Sequence, residues 1–174
     1  MRKKIALVVV ILGLLIGLLL APVPFGEKTR IHTAIVIAKP IDAVFEYVTT
    51  PAHWPEWHPA SLSVSTGADH SLAVGEQVRE EFKVAGRRGS ATWTVRQREA
   101  PARWVIDGQS DGGSSATITY TLSSLPTGTR FERELVYGAP SLLFALLNRF
   151  SLRAQITAES ETALRRLKQV LEAS

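Results

Sequence analysis

Pro40 separates two periodicities that no single element can satisfy, and this break constrains the fold more than any other feature of the chain. From Arg30 to Ala38 the β-branched residues alternate, with Ile31, Thr33, Ile35 and Ile37 on one face, as in a half-buried strand. Proline cannot donate to a ladder, so the strand ends at Lys39-Pro40. Beyond it, Ile41, Val44, Phe45 and Val48 fall at helical spacing, and Asp42 sits where a helix N-terminus favours negative charge. Pro51 stops that helix. Pro51, Pro55 and Pro59 then frame a second short helix or turn that carries Trp54 and Trp57.

Alternating segments follow at regular spacing, separated by turn residues. Leu62 to Thr66 is short. In Gly75 to Val84, the residues Val78, Glu80, Phe82 and Val84 share a face. After a turn at Gly86 to Gly89, Ala91, Trp93 and Val95 do so in Ser90 to Glu99. Trp104 and Ile106 alternate with Arg103 and Asp107, and Asp111-Gly112-Gly113 is a hairpin signal. Ala116, Ile118, Tyr120 and Leu122 form the next face. Pro126-Thr127-Gly128 turns the chain into a last strand, with Phe131, Arg133, Leu135 and Tyr137 together. From Pro140 the period is helical to the end, where Ile156, Ser160, Ala163, Leu167 and Leu171 make a stripe and Glu161 and Arg165 are spaced to pair. Ser141 to Phe150 is too apolar for a solvent-facing helix, which predicts a lid over a cavity or a membrane contact.

The opening segment, IVIAKPIDAVFEYVTTPAHWPEWHP from Ile35 to Pro59, resembles the start of the START-like helix-grip (SRPBCC) superfamily, in particular its polyketide cyclase/dehydrase branch. The resemblance spans Arg30 to Ala173. It implies an α+β helix-grip fold, in which a curved antiparallel sheet of about seven strands wraps a long C-terminal helix and two short helices follow the first strand. It also implies a ligand cavity between sheet and helix, without naming the ligand.

Ile5 to Ala21 is an unbroken apolar run. As a helix it would reach about 25 Å, within the range for a membrane span. A cleaved signal peptide fits the basic start equally well, but Leu19 would occupy the position that wants a small side chain and Pro22 would follow the cut. The expected organisation is an N-terminal transmembrane anchor with its linker over residues 1–27 and a single domain over 28–174. Basic residues before the span predict a cytoplasmic N-terminus and an extracytoplasmic domain. Signal cleavage would instead give a secreted or periplasmic protein. Pro22 to Gly26 reads as a stiff linker.

Several chemistries are excluded or unsupported. The chain has no cysteine, which rules out disulfides and thiol catalysis. Arg2, Lys3 and Lys4 supply most of the net charge of +4, so the domain is near neutral and offers no basic face for nucleic acid. The pair Arg87-Arg88 reads as a solvated loop tip. His32, His53 and His58 lack metal-ligand spacing, so no metal is expected. No phosphate-binding or dinucleotide fingerprint suggests a cofactor.

The aromatic residues on the inward faces, Phe82, Trp93, Trp104, Tyr120, Phe131 and Tyr137, are candidate ligand contacts, with plain core as the alternative for each. Glu80 and Arg133 interrupt apolar faces. Each is either wet at a rim or buried where it could bind a ligand carbonyl or carboxylate. Trp54 and Trp57 read as anchors of the elbow. Three functions remain open: a membrane-tethered binder of a hydrophobic small molecule or lipid, a polyketide cyclase/dehydrase-type enzyme, or a partner-binding module. In the enzyme, Glu80 or a histidine would be the base and Arg133, Tyr120 or Tyr137 the donor. The oligomeric state is not legible.

Overall fold

The computed structural model describes residues 2–21 and 28–173; the linker expected at Pro22 to Gly26 falls outside them. Helix α1 (Arg2–Leu20) carries the apolar run and is long and apolar enough to cross a membrane, with a mean hydropathy of 2.5 over Lys3–Leu20. Its side chains are almost all exposed.

Strand β1 (Thr29–Ile37) ends before Pro40, and α2 (Ile41–Thr49) buries Val44, Phe45 and Val48, as the change of period predicts. A 3-10 turn (Pro51–His53) and α3 (Trp54–Trp57) complete the elbow. The remaining strands are β2 (Ser61–Val64), β3 (Gln77–Val84), β4 (Arg87–Glu99), β5 (Arg103–Ser110), β6 (Ser115–Leu125) and β7 (Gly128–Tyr137). They form one antiparallel sheet in the order β1-β7-β6-β5-β4-β3-β2. Sequence neighbours pair throughout, except that β1 closes onto the last strand. Helix α4 (Leu142–Leu147), a π-helical turn (Asn148–Leu152) and α5 (Arg153–Ala173) complete the chain.

Two departures from the periodicity bear on the site. The β3–β4 turn is tighter than Gly86 to Gly89, because Ala85 and Gly86 both adopt positive φ (47° and 79°) and reverse the chain in two residues. The C-terminal helix runs without a gap from Leu142 to Ala173, but it is not α-helical throughout. The π-helical turn shifts its phase and points Asn148 inward. Asn148 accepts from the Tyr137 hydroxyl at 2.7 Å and donates to Thr29 Oγ1 at 2.7 Å, which ties the turn to β7 and β1.

Helix α5 lies against the concave face of the sheet and buries Ile156, Ser160, Ala163, Leu164, Leu167 and Leu171. The buried side chains form two clusters. The larger joins α2, α3 and the C-terminal half of α5 to the sheet around Phe45, Trp57, Trp104, Phe131 and Leu167. The smaller holds Ile31, Tyr137, Leu152 and Ile156, with Phe144 and Leu147 packed against it. Sheet and helix therefore pack directly at both ends, and the space between the ends stays open.

Candidate functional site

That space is a cavity of about 610 Å³, a size suited to a small organic molecule. Its floor is the inner face of β3 to β7, and its roof includes Trp54, Trp57, Ile156 and Ser160. The rim includes Arg87, Arg88, Gly112, Pro140 and Phe144.

Two glycines help keep it open. Gly108 pairs with Trp93 across β4 and β5, and a Cβ there would come within 2.5 Å of the indole. Gly89 pairs with Phe82 across β3 and β4, where a Cβ would come within 2.8 Å of the ring. Both rings therefore lie down over glycine backbone instead of standing into the cavity.

The polar groups gather in one region. Glu80 is 8% exposed and accepts a hydrogen bond from Trp93 Nε1 at 2.7 Å. Arg133, on β7, is 4% exposed; its Nη1 lies 3.4 Å from Ser160 Oγ on α5, and its Nε has no partner among the described residues. His58, just after α3, accepts the Ala60 amide at Nδ1 (3.3 Å), which places its proton on Nε2, an atom that is buried and unpaired. Burial, with the nearby Arg133 charge, pushes the His58 pKa well below the usual imidazole value, so the ring is neutral. The Tyr120 hydroxyl beside Arg133 is pushed up to about 12, mainly by burial, and stays protonated. The cavity residues thus offer N–H and O–H donors, and three of their N–H groups, on Arg133, His58 and Trp57, are buried without an acceptor among the described residues. Such groups are rare in folded proteins and cost about 1–3 kcal/mol each.

Glu80 is the counterweight. Burial raises its pKa, and this outweighs the nearby Ser61 hydroxyl, the Trp93 hydrogen bond and the Arg133 charge, which act in the opposite direction. A carboxyl with a raised folded-state pKa holds its proton more tightly folded than unfolded. Stability then falls as pH rises from the ordinary carboxylate range through the raised value. Glu80→Gln is expected to remove this loss and to unfold at a higher temperature than the parent at neutral pH, but not in acid. Thermal melts across pH 4 to 8 check it, and an unchanged pH dependence would contradict it.

Six of the residues singled out in the sequence border the cavity: Glu80, Phe82, Trp93, Tyr120, Arg133 and Tyr137. Trp104 and Phe131 do not reach it. Trp104 is fully buried behind Tyr120, stacked at 5.4 Å, with its indole N–H donating to Leu72 O at 3.3 Å. Phe131 packs on the same tyrosine at 5.1 Å. Both follow the right alternation, but they sit where the elbow and α5 cover the sheet. His58 and Ser160 are added to the site, and Trp54 and Trp57 line it besides anchoring the elbow. His32 and His53 point elsewhere, to Glu132 at 2.9 Å and Glu56 at 3.2 Å.

A curved seven-stranded sheet gripping a C-terminal helix over an internal cavity defines a START-like helix-grip domain. The family model described as "Polyketide cyclase / dehydrase and lipid transport" matches residues 28–172, and the chain belongs to that family. The comparison with curated proteins found no match. Among solved structures, a Rhodobacter sphaeroides protein is similar at 22% identity over 88% of this chain and 97% of that one, with a TM-score of 0.64. A Staphylococcus aureus protein of unknown function aligns at 10% identity over 86% and 96%, with a TM-score of 0.67. A Chromobacterium violaceum protein aligns at 16% identity over 82% and 96%, with a TM-score of 0.64. At these identities the likeness concerns the fold.

Proposed function

We propose that this protein is a membrane-anchored binding domain for a hydrophobic small molecule or lipid bearing a carbonyl or carboxylate oxygen. The observation that carries this reading is the set of buried donors without a partner among the described residues, Arg133 Nε, His58 Nε2 and Trp57 Nε1, on residues bordering a largely apolar cavity. An acceptor oxygen on the ligand would satisfy them, while Phe82, Trp93 and Tyr137 hold its apolar body. In this reading residues 1–27 are anchor and linker, and residues 28–174 are the binding domain. Arg2, Lys3 and Lys4, ahead of the apolar run at the start of α1, keep the N-terminus in the cytoplasm and put the domain on the other side.

The full chain, purified in mild detergent and extracted with organic solvent, should release an apolar, oxygen-bearing compound detectable by mass spectrometry. A protein that is empty after purification and takes up neither fatty acids nor aromatic ketones would remove the reading.

The raised pKa of Glu80 in the same cavity favours a second reading, a cyclase/dehydratase. Ionised Glu80 would take a proton from carbon α to a substrate carbonyl, and the donors of Arg133, His58 and Tyr120 would stabilise the enolate oxygen. Glu80→Gln separates the two readings. A binder keeps its ligand in that variant, whereas an enzyme keeps its substrate and loses turnover.

A further inference from the structure

The cavity, the start of the sheet and the greasy C-terminal segment meet at one end of the domain. Thr29 opens β1 and pairs with Tyr137, the last residue of β7 and a cavity residue. Asn148 of the π-helical turn joins both through its side chain. Phe144 of α4 is at the cavity rim and packs on Tyr137 at 6.4 Å between ring centroids.

The segment around it is two-faced. Phe144, Leu147 and Leu152 turn toward the domain, while Leu143, Leu146 and Phe150 face outward at 37%, 41% and 78% exposure. Two features of this chain specify what covers that outer face. The Leu142 amide lies 3.3 Å from the carbonyl of Ala21, so α4 begins where α1 ends. Only residues 22–28 separate Ala21 from Thr29, a reach of under about 30 Å even when fully extended. In addition, Arg87, Arg88, Arg149 and Arg153 are exposed around this end, and none has a carboxylate partner among the described residues.

We propose that the α4–π-helix face is a membrane-docking surface. Leu143, Leu146 and Phe150 seat in the lipid boundary, the four arginines meet lipid phosphates, and the cavity mouth opens onto the bilayer. An apolar ligand then passes between bilayer and cavity without crossing bulk water. The proposal rests on the reading of α1 as a membrane span.

The absence of native cysteine makes the test clean. Phe150→Cys and, as a second reporter, Leu146→Cys each take one environment-sensitive NBD label in the full chain, reconstituted into phosphatidylcholine–phosphatidylglycerol vesicles. Thr127→Cys, exposed in the β6–β7 turn at the far end of the sheet, is the control. Labels at 150 and 146 are expected to shift to the blue, brighten several-fold and be quenched by doxyl-labelled lipid, while the label at 127 does none of these. If the chain resists carbonate extraction but all three labels behave alike, the docking surface is overturned and the anchor stands. If carbonate releases the chain, the anchor fails and the docking surface fails with it.

Discussion

Arg133→Leu is expected to weaken ligand binding about ten- to a hundredfold while leaving the empty domain at least as stable as before. The first effect follows from the loss of charge-assisted hydrogen bonds, each worth about 1.5–3 kcal/mol where the partner is otherwise unsatisfied. The second follows from burial. Arg133 is 4% exposed, its Nε is unpaired, and no carboxylate lies within ion-pair distance of it among the described residues. Replacing a poorly compensated buried charge with an apolar side chain of similar volume is commonly neutral or stabilising. Glu80 loses a favourable neighbour in the variant and responds by holding its proton more tightly, so no second uncompensated charge is left behind. Titration calorimetry with the compound recovered from the native protein, together with thermal melts, reads both effects. Unchanged affinity in a folded variant would remove Arg133 from the site. Arg133→Lys should recover only part of the affinity, since an ammonium keeps the charge but loses the planar fork.

The largest effect on stability is expected at a residue outside the cavity. Trp104→Ala should destabilise the domain by about 3–5 kcal/mol, a large share of the total stability of a domain this size. Trp104 is fully buried, stacks on Tyr120 at 5.4 Å and meets the edge of Trp54 at 6.3 Å. Its indole N–H also satisfies the Leu72 carbonyl. Removing it leaves a void behind the tyrosine and one unpaired buried carbonyl. Urea denaturation followed by far-ultraviolet circular dichroism gives the number, and a loss under about 1 kcal/mol would mean that the elbow collapses into the space. The two substitutions make opposite demands on the fold, because one residue supports the wall and the other faces the contents.

Much of this arrangement is legible in the sequence. A side chain's face on a strand depends only on its parity, so Glu80 and Arg133 stood out as charges on apolar faces, and both are buried. Parity does not say how far along the inner face a residue lies, or what covers it there. For that reason Trp104 and Phe131 looked the same as Trp93 and Tyr137, yet they pack under the elbow and α5. His58 was visible as a histidine at the end of the elbow. Its neutral state, with the proton on an unpaired Nε2, depends on burial, on the Ala60 amide beside it and on Arg133, far away in sequence. Similarly, the apolar run from Ser141 predicted either a lid or a membrane contact, and its two faces became distinct only when the π-helical turn set its phase.

The sequence by itself determined the elements and their inward faces. Local periodicity, proline and turn chemistry act over a few residues, and in this chain they agree with the final packing. Pro40 illustrates this, since the strand before it and the helix after it could be read without knowing what either would touch. The cavity was decided only in three dimensions. It exists because sheet and helix close on each other at both ends and not between, and because Trp93 and Phe82 can lie flat over Gly108 and Gly89. Those are distances between surfaces built from residues far apart in the chain, and no local pattern encodes them.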